Sequence, residues 1–225
     1  MMTRHLLAIS LLLLASASRA TESKTFDVTY TATLAGVPAG LRQVNVWIPL
    51  PVTRGWQRVS GVHVESPTPV SLHSENEFGN DYAFTTIENP PAGELTFKVH
   101  FTVTRREATA ATPAEKTATH SEVRRALRAD KLVTLSPRVR KLADQVTAGK
   151  TGTMDQARAI YDYVLLTMKY DKTIAGWGQG DTERACDIRA GNCTDFHSLF
   201  MSLARAKGIP ARFVIGFPLK AADGN

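Results

Sequence analysis

The chain has 225 residues, is 43% hydrophobic and 21% charged, and carries a formal net charge of +6 at pH 7. These values exclude a chain that is disordered throughout and leave room for one large domain or two small ones. Among the 27 Lys and Arg, two short clusters stand out, Arg124, Arg125 and Arg128, then Arg138, Arg140 and Lys141, with no interleaved aromatics to stack on bases. They read as solvated helix faces, and no nucleic acid partner is expected.

Residues 1–20, "MMTRHLLAISLLLLASASRA", open with Arg4 and His5, continue in a leucine-rich run and end on the small residues Ser18 and Ala20. This is the pattern of a signal peptide cleaved near Ala20, and it predicts an exported, periplasmic or secreted protein. The unbroken apolar run from Leu6 to Ala15 is about half of the ~20 residues a membrane span needs. No membrane span is therefore expected after cleavage, and the loss of Arg4 and Arg19 leaves a charge of about +4.

Residues 21–106 read as a β-rich N-terminal domain. "TFDVTYTATL", "RQVNVWIPLP", "RVSGVHVES", "DYAFTTIE" and "ELTFKVHFTVTRR" alternate apolar with polar residues, and turn signals at 38–40, 79–81 and 90–93 separate them. An antiparallel β domain follows from that pattern. "EATAATPAEKTATH", residues 107–120, carries few large apolar side chains, and 107–135 reads as a connector with a helix.

From 136 onward the pattern is helical. Ser136 before Pro137 is an N-cap and first-position proline, and Thr153 with Gln156 suggests a capping box for a helix whose apolar stripe is Ile160, Tyr161, Val164, Leu165 and Met168. "GKTGT" at 149–153 is not a phosphate loop, because the pattern needs glycine where Asp144 stands. The histidines are scattered and there are two cysteines, so no metal site and no cofactor is expected.

The last stretch, "RAGNCTDFHSLFMSLARAKGIPARFVIGF", carries the chemistry. Gly191 and Asn192 lead into a helix running to about Lys207, with Asn192 as N-cap and Cys193 in the first turn. Unpaired backbone N–H groups and the helix dipole favour a thiolate there, which makes Cys193 a candidate nucleophile. Phe196, Leu199, Phe200 and Leu203 form the inward stripe, Gly208 with Ile209 and Pro210 ends the helix, and "ARFVIGF" reads as a buried strand. The competing reading is a Cys186–Cys193 disulfide, which an oxidising compartment permits but which so short a loop makes geometrically demanding.

"GNCTDFHSLFMSLARAKGIPARFVIGF" resembles the nucleophile segment of the transglutaminase-like superfamily, in its bacterial exported branch, and "YDKTIAGWGQGDTERACDIRAG" is similar to the segment that precedes it there. The resemblance covers roughly residues 136–219. It implies an α+β chain in which the N-terminal antiparallel β domain is followed, over 136–225, by the N-terminal half of a papain-like transglutaminase core.

The activity it implies is thioester-mediated acyl transfer or amide hydrolysis on a peptide or protein substrate, with Cys193 catalytic. The Cys193 backbone N–H is the natural first oxyanion donor, and Trp177 and Gln179 are candidates for a second. Asn192, Asp195 and His197 are expected to be structural: Asp195 as a favourable first-turn charge, His197 as a residue of the helix flank.

The family's histidine base and its orienting aspartate come later, and no residue after Cys193 in this sequence matches either. The domain is thus expected to be incomplete, and the chain a truncated, weakly active or inactive form. The alternative is a non-catalytic binding or assembly module on the same fold. Oligomeric state is not encoded in any pattern found.

Overall fold

The computed structural model describes residues 22–108 and 118–219, so the expected leader at 1–20 and most of the connector's first part lie outside the described residues. The chain divides into two compact units, Met1–Ser74 with Asn80–Glu115 and Glu75–Gly79 with Lys116–Asn225. Among the described residues no helix is long and apolar enough to cross a membrane.

The first unit holds six strands, β1 (Ser23–Val37), β2 (Gln43–Leu50), β3 (Gln57–Glu65), β4 (Ser71–Ser74), β5 (Asp81–Glu88) and β6 (Gly93–Arg106). They form two three-stranded sheets, ordered β1-β6-β3 and β2-β5-β4, with antiparallel pairing throughout. Period-two alternation decides which side chains turn inward. Leu95, Phe97, Val99 and Val103 of β6 are buried, as are Ala83, Thr85 and Ile87 of β5 and Ile48 of β2. The Tyr30 hydroxyl donates to the Pro49 carbonyl, linking a strand of one sheet to a strand of the other, and burial pushes that phenol up to about 12. The strand β4 has no counterpart among the expected elements, since all four of its side chains are exposed.

The second unit contains α1 (His120–Leu127), α2 (Pro137–Val146), α3 (Thr153–Thr167), β7 (Lys169–Tyr170), α4 (Thr182–Ile188), β8 (Ala190–Gly191) and α5 (Cys193–Ala206). Ser136 caps α2 with Pro137 in its first turn, as the sequence predicts. α3 differs: Gly152 is its N-cap, without a side-chain cap, and the Gln156 amide donates to the Lys150 carbonyl instead. Its buried face is Ile160, Val164 and Met168, while Tyr161 and Leu165 are more than half exposed. Spacing of four and eight keeps the first three on one face, and the other two lie about 100° around the helix.

Helix α5 is the centre of the unit. Leu199, Leu203 and Ala204 pack with Val139 and Ala143 of α2, Ile160 and Val164 of α3, and Ala185 and Cys186 of α4. Phe196 and Phe200, expected in the core, are half-buried at its edge. The opposite side of α5 is buried too, through polar contacts: the Thr182 and Ser202 hydroxyls meet at 2.7 Å, and the Ser198 hydroxyl donates to the Asp195 carbonyl at 2.9 Å. The helix ends in a Schellman pair, Gly208 N–H to Arg205 O and Ile209 N–H to Ala204 O, with Gly208 at φ 74°.

"ARFVIGF" is not a buried strand. Residues 211–217 have no regular structure, and Val214, Ile215 and Phe217 are about 70% exposed. A strand needs a neighbouring strand to satisfy its backbone, and among the described residues no sheet includes this segment, whose Ala211 N–H donates to the Ala126 carbonyl at 3.0 Å instead.

Leu203, fully buried at the junction of three helices, sets an expectation for stability. Leu203→Ala is expected to cost about 2–5 kcal/mol in denaturant melts, and Phe200→Ala, whose ring packs at the edge of the same core, a comparable amount. Lys207→Ala removes a partly exposed ion pair to Asp144 and should cost under about 1 kcal/mol. Equal losses at Leu203 and Lys207 would contradict this packing.

Candidate functional site

Strand β8 and helix α5 meet at Asn192, and Cys193 is the first residue of α5. The parallel ladder of β7 on β8, with Lys169 N–H to Arg189 O at 2.8 Å and Asp171 N–H to Gly191 O at 2.9 Å, fixes the chain just before the cysteine. Hydrogen bonds from the Thr173 hydroxyl and amide, aided by nearby Lys169, hold the Asp171 carboxyl down at about 2. Arg189, in the left-handed region at φ 52°, turns α4 into that short strand.

The two cysteines are free and differ in setting. Cys186 lies in the helical core, where burial pushes its thiol up from the ordinary value. Cys193 is exposed at the N-terminus of a largely buried helix. The Asn192 side chain accepts from the Thr194 N–H at 2.9 Å and from the Asp195 N–H, so the first turn's second and third amides are claimed. Among the described residues nothing accepts from the Cys193 N–H. One backbone donor therefore stands free beside the thiol, where an oxyanion formed on a carbonyl under attack would need it.

Asp195 is more than a first-turn charge. It is 1% exposed, and its carboxylate accepts from Asn192 N–H at 2.9 Å, from Gly178 N–H at 2.7 Å and from Gly180 N–H at 3.1 Å. The first bond completes a capping box with Asn192, and the other two pin the loop that carries Trp177 and Gln179 onto the first turn of α5. That loop runs Gly176-Trp177-Gly178-Gln179-Gly180, with each glycine at φ between 69° and 80°. The fit is close: a Cβ on Gly178 would sit 3.1 Å from the Asn192 amide nitrogen, and one on Gly180 would sit 2.9 Å from the Thr194 methyl.

Trp177 is 41% exposed, with the Lys172 ammonium 5.9 Å from its ring centroid. The Gln179 amide nitrogen lies near Gly176, 3.6 Å from where a Cβ there would be. Among the described residues neither the Trp177 indole N–H nor the Gln179 amide has a hydrogen-bond partner. His197 is exposed; its Nδ1 is 2.6 Å from the Cys193 carbonyl oxygen, and its ring meets Phe213 edge-on at 5.0 Å. It thus bonds the backbone of the cysteine's turn, and among the described residues no imidazole is bonded to the Cys193 thiol. No group of three or more His, Cys, Asp or Glu side chains among the described residues could hold a metal ion.

The sequence reading offers Trp177 and Gln179 as donors for Cys193 and Asn192 as the cap, but it misses the Asp195 bonds that tie the 176–180 loop to the first turn of α5. Their signal was present in "GWGQGD": three glycines alternating with donor-bearing side chains mark a loop lying against another backbone.

Similarity to known proteins follows this geometry. The model of the transglutaminase-like superfamily core matches residues 140–224. An uncharacterized protein of Haemophilus influenzae is 29% identical over 215 residues, 90% of this chain and 58% of its own length. The chain therefore spans less than two thirds of that curated relative. Among solved structures, a candidate cysteine protease from Cytophaga hutchinsonii superposes with a TM-score of 0.66 at 16% identity, over 84% of this chain and 66% of that one. The periplasmic domain of TgpA from Pseudomonas aeruginosa matches at a TM-score of 0.41 and 16% identity, over 84% of this chain and 56% of that one. A mixed α+β, papain-like arrangement is common to the chain and the Cytophaga hutchinsonii structure.

Proposed function

We propose that this is a cysteine enzyme of thioester-mediated acyl transfer or amide hydrolysis, acting on peptides or protein side chains, with Cys193 as nucleophile. The observation that supports it most is an exposed thiol in the first turn of a buried helix, beside its own unclaimed N–H. In this reading the Cys193 sulfur attacks an amide carbonyl carbon and the C–O π pair moves onto oxygen. The Cys193 N–H, with a donor from Trp177 or Gln179, stabilises that oxyanion. Collapse expels the amine, which takes up a proton, and water or a second amine then releases the acyl group from sulfur.

The proton transfers need a base, and His197, whose Nδ1 lies 2.6 Å from the Cys193 carbonyl oxygen, makes no bond to the thiol among the described residues. Such transfers are worth about 10² to 10⁴ in rate. We therefore expect weak turnover from this chain with a competent thiol. Export to the periplasm or outside the cell is part of the proposal and rests on the leader pattern at 1–20; recovery of the protein from the cytoplasm alone, still beginning at Met1, would remove it.

The thiol assignment is tested by limiting iodoacetamide on the folded chain across pH, with the adduct located by mass spectrometry. Cys193 is expected to label first, and Cys186 to react only as the core opens, because burial holds its thiol protonated and out of reach. Preferential labelling of Cys186, or no free thiol at all, would favour the non-catalytic binding module.

A further inference from the structure

We propose that Asp195 is a positioning residue for acyl transfer at Cys193: its buried carboxylate holds the 176–180 loop on the first turn of α5, so that the loop's side-chain donors keep a fixed place beside the thiol. The inference rests on the nucleophile reading and deepens it.

Capping α5 requires only the bond from the Asn192 N–H to Asp195. The same carboxylate makes two further bonds, to amides 17 and 15 residues back along the chain. Those bonds do not serve the helix. They satisfy the Gly178 and Gly180 N–H groups, the second of them buried, and they fix a loop that has glycine at every second position. Gly178 and Gly180 lie so close to Asn192 and Thr194 that the loop cannot shift toward the helix, and the carboxylate keeps it from shifting away. Trp177 and Gln179 flank Gly178, so the clamp bears directly on both.

Asp195 stands two residues after Cys193 on one rigid turn. The thiol and the loop are therefore referenced to the same piece of backbone. An oxyanion donor displaced by an ångström loses most of its effect, whereas a thiol needs no such partner to react with an alkyl halide.

That difference gives the experiment. p-Nitrophenyl acetate acylates a thiolate through an oxyanion: the C–S bond forms, the carbonyl electron pair moves to oxygen, and p-nitrophenolate leaves. Iodoacetamide alkylates the same sulfur by displacing iodide, with no oxyanion. The ratio of the two second-order rates at Cys193, measured on the full chain by mass spectrometry across pH, isolates the donors from the thiol.

In Asp195→Asn the new amide NH₂ faces a backbone N–H, and the ratio, in which any change of thiolate fraction cancels, is expected to fall about tenfold or more. Gly180→Ala keeps the carboxylate but drives a Cβ against Thr194, and should give the same fall. Should either variant fail to fold, the loop replacements Trp177→Phe and Gln179→Ala read the same ratio, since both side chains are without hydrogen-bond partners among the described residues. A fall in at least one of them is expected. An unchanged ratio in all folded variants, or a parallel drop in both rates, would overturn the inference. A wild-type chain whose Cys193 takes neither reagent would instead overturn the nucleophile reading on which it stands.

Discussion

Exposed to an activated aryl ester, the wild-type chain is expected to gain one acyl group on sulfur, and the Cys193→Ala variant none. Both thiols are free, so chemistry alone does not separate them. Position does. Cys186 is packed among Val139, Ala143, Ile160 and Leu199, where burial disfavours its thiolate and no ester can reach it. Cys193 is exposed, at the positive end of a helix dipole, with a free backbone donor of its own. Cys186→Ala should leave acylation intact and cost only the small cavity it opens, on the order of 1 kcal/mol. Loss of the nucleophile from a fully assembled site costs on the order of 10⁶ in kcat, so any slow amide turnover by the chain should vanish with it. An adduct of unchanged stoichiometry on Cys193→Ala would place the reactive group elsewhere and sink the assignment.

The parts of the fold that a sequence encodes locally were legible here. In β6 the run Leu95, Phe97, Val99 and Val103 keeps period two, and all four are buried. Asn192 before Cys193 gave the start of α5 because capping is settled within four residues. The failures share a cause, which is that the deciding contact lies far along the chain. β4 exists because β5 offers it an edge, with Ser71 opposite Phe84, and nothing in "SLHS" itself demands a strand. Residues 211–217 have the composition of a buried strand, but composition supplies no partner, and the side chains of Val214 and Ile215 stand in solvent. Tyr161 and Leu165 were counted with Ile160 and Val164 because a broad stripe and a narrow one differ by a single step around the helix. The candidate site shows the same division: Cys193 and its cap are visible in five consecutive residues, whereas the role of Asp195 depends on Gly178 and Gly180, which only the folded loop brings to it.

The same geometry predicts that Gly191→Ala is among the most damaging single substitutions available to this chain. A Cβ on Gly191 would lie 2.1 Å from the Asp195 Oδ2 and 2.5 Å from its Cγ, far inside any contact two atoms tolerate. Something must move. Asp195 cannot yield without releasing the amides of Asn192, Gly178 and Gly180, each a hydrogen bond to a carboxylate worth about 1.5–3 kcal/mol. Gly191 cannot yield easily either, because its carbonyl accepts from Asp171 and its strand pairs with β7. Overpacking alone costs about 1–3 kcal/mol, and adding one lost carboxylate bond brings the expected destabilisation to about 3–6 kcal/mol in denaturant melts. Gly149→Ala is the control, since a Cβ there meets nothing within 4 Å although its φ of 73° still carries strain; its cost should stay near 1–2 kcal/mol. The variant also separates two roles of the clamp: if Gly191→Ala folds, its acylation-to-alkylation ratio should fall as in Asp195→Asn, because displacing the carboxylate and neutralising it both release the loop. A Gly191→Ala protein as stable as the wild type would mean that Asp195 is free to swing out of the way, and a carboxylate free to swing cannot hold the loop.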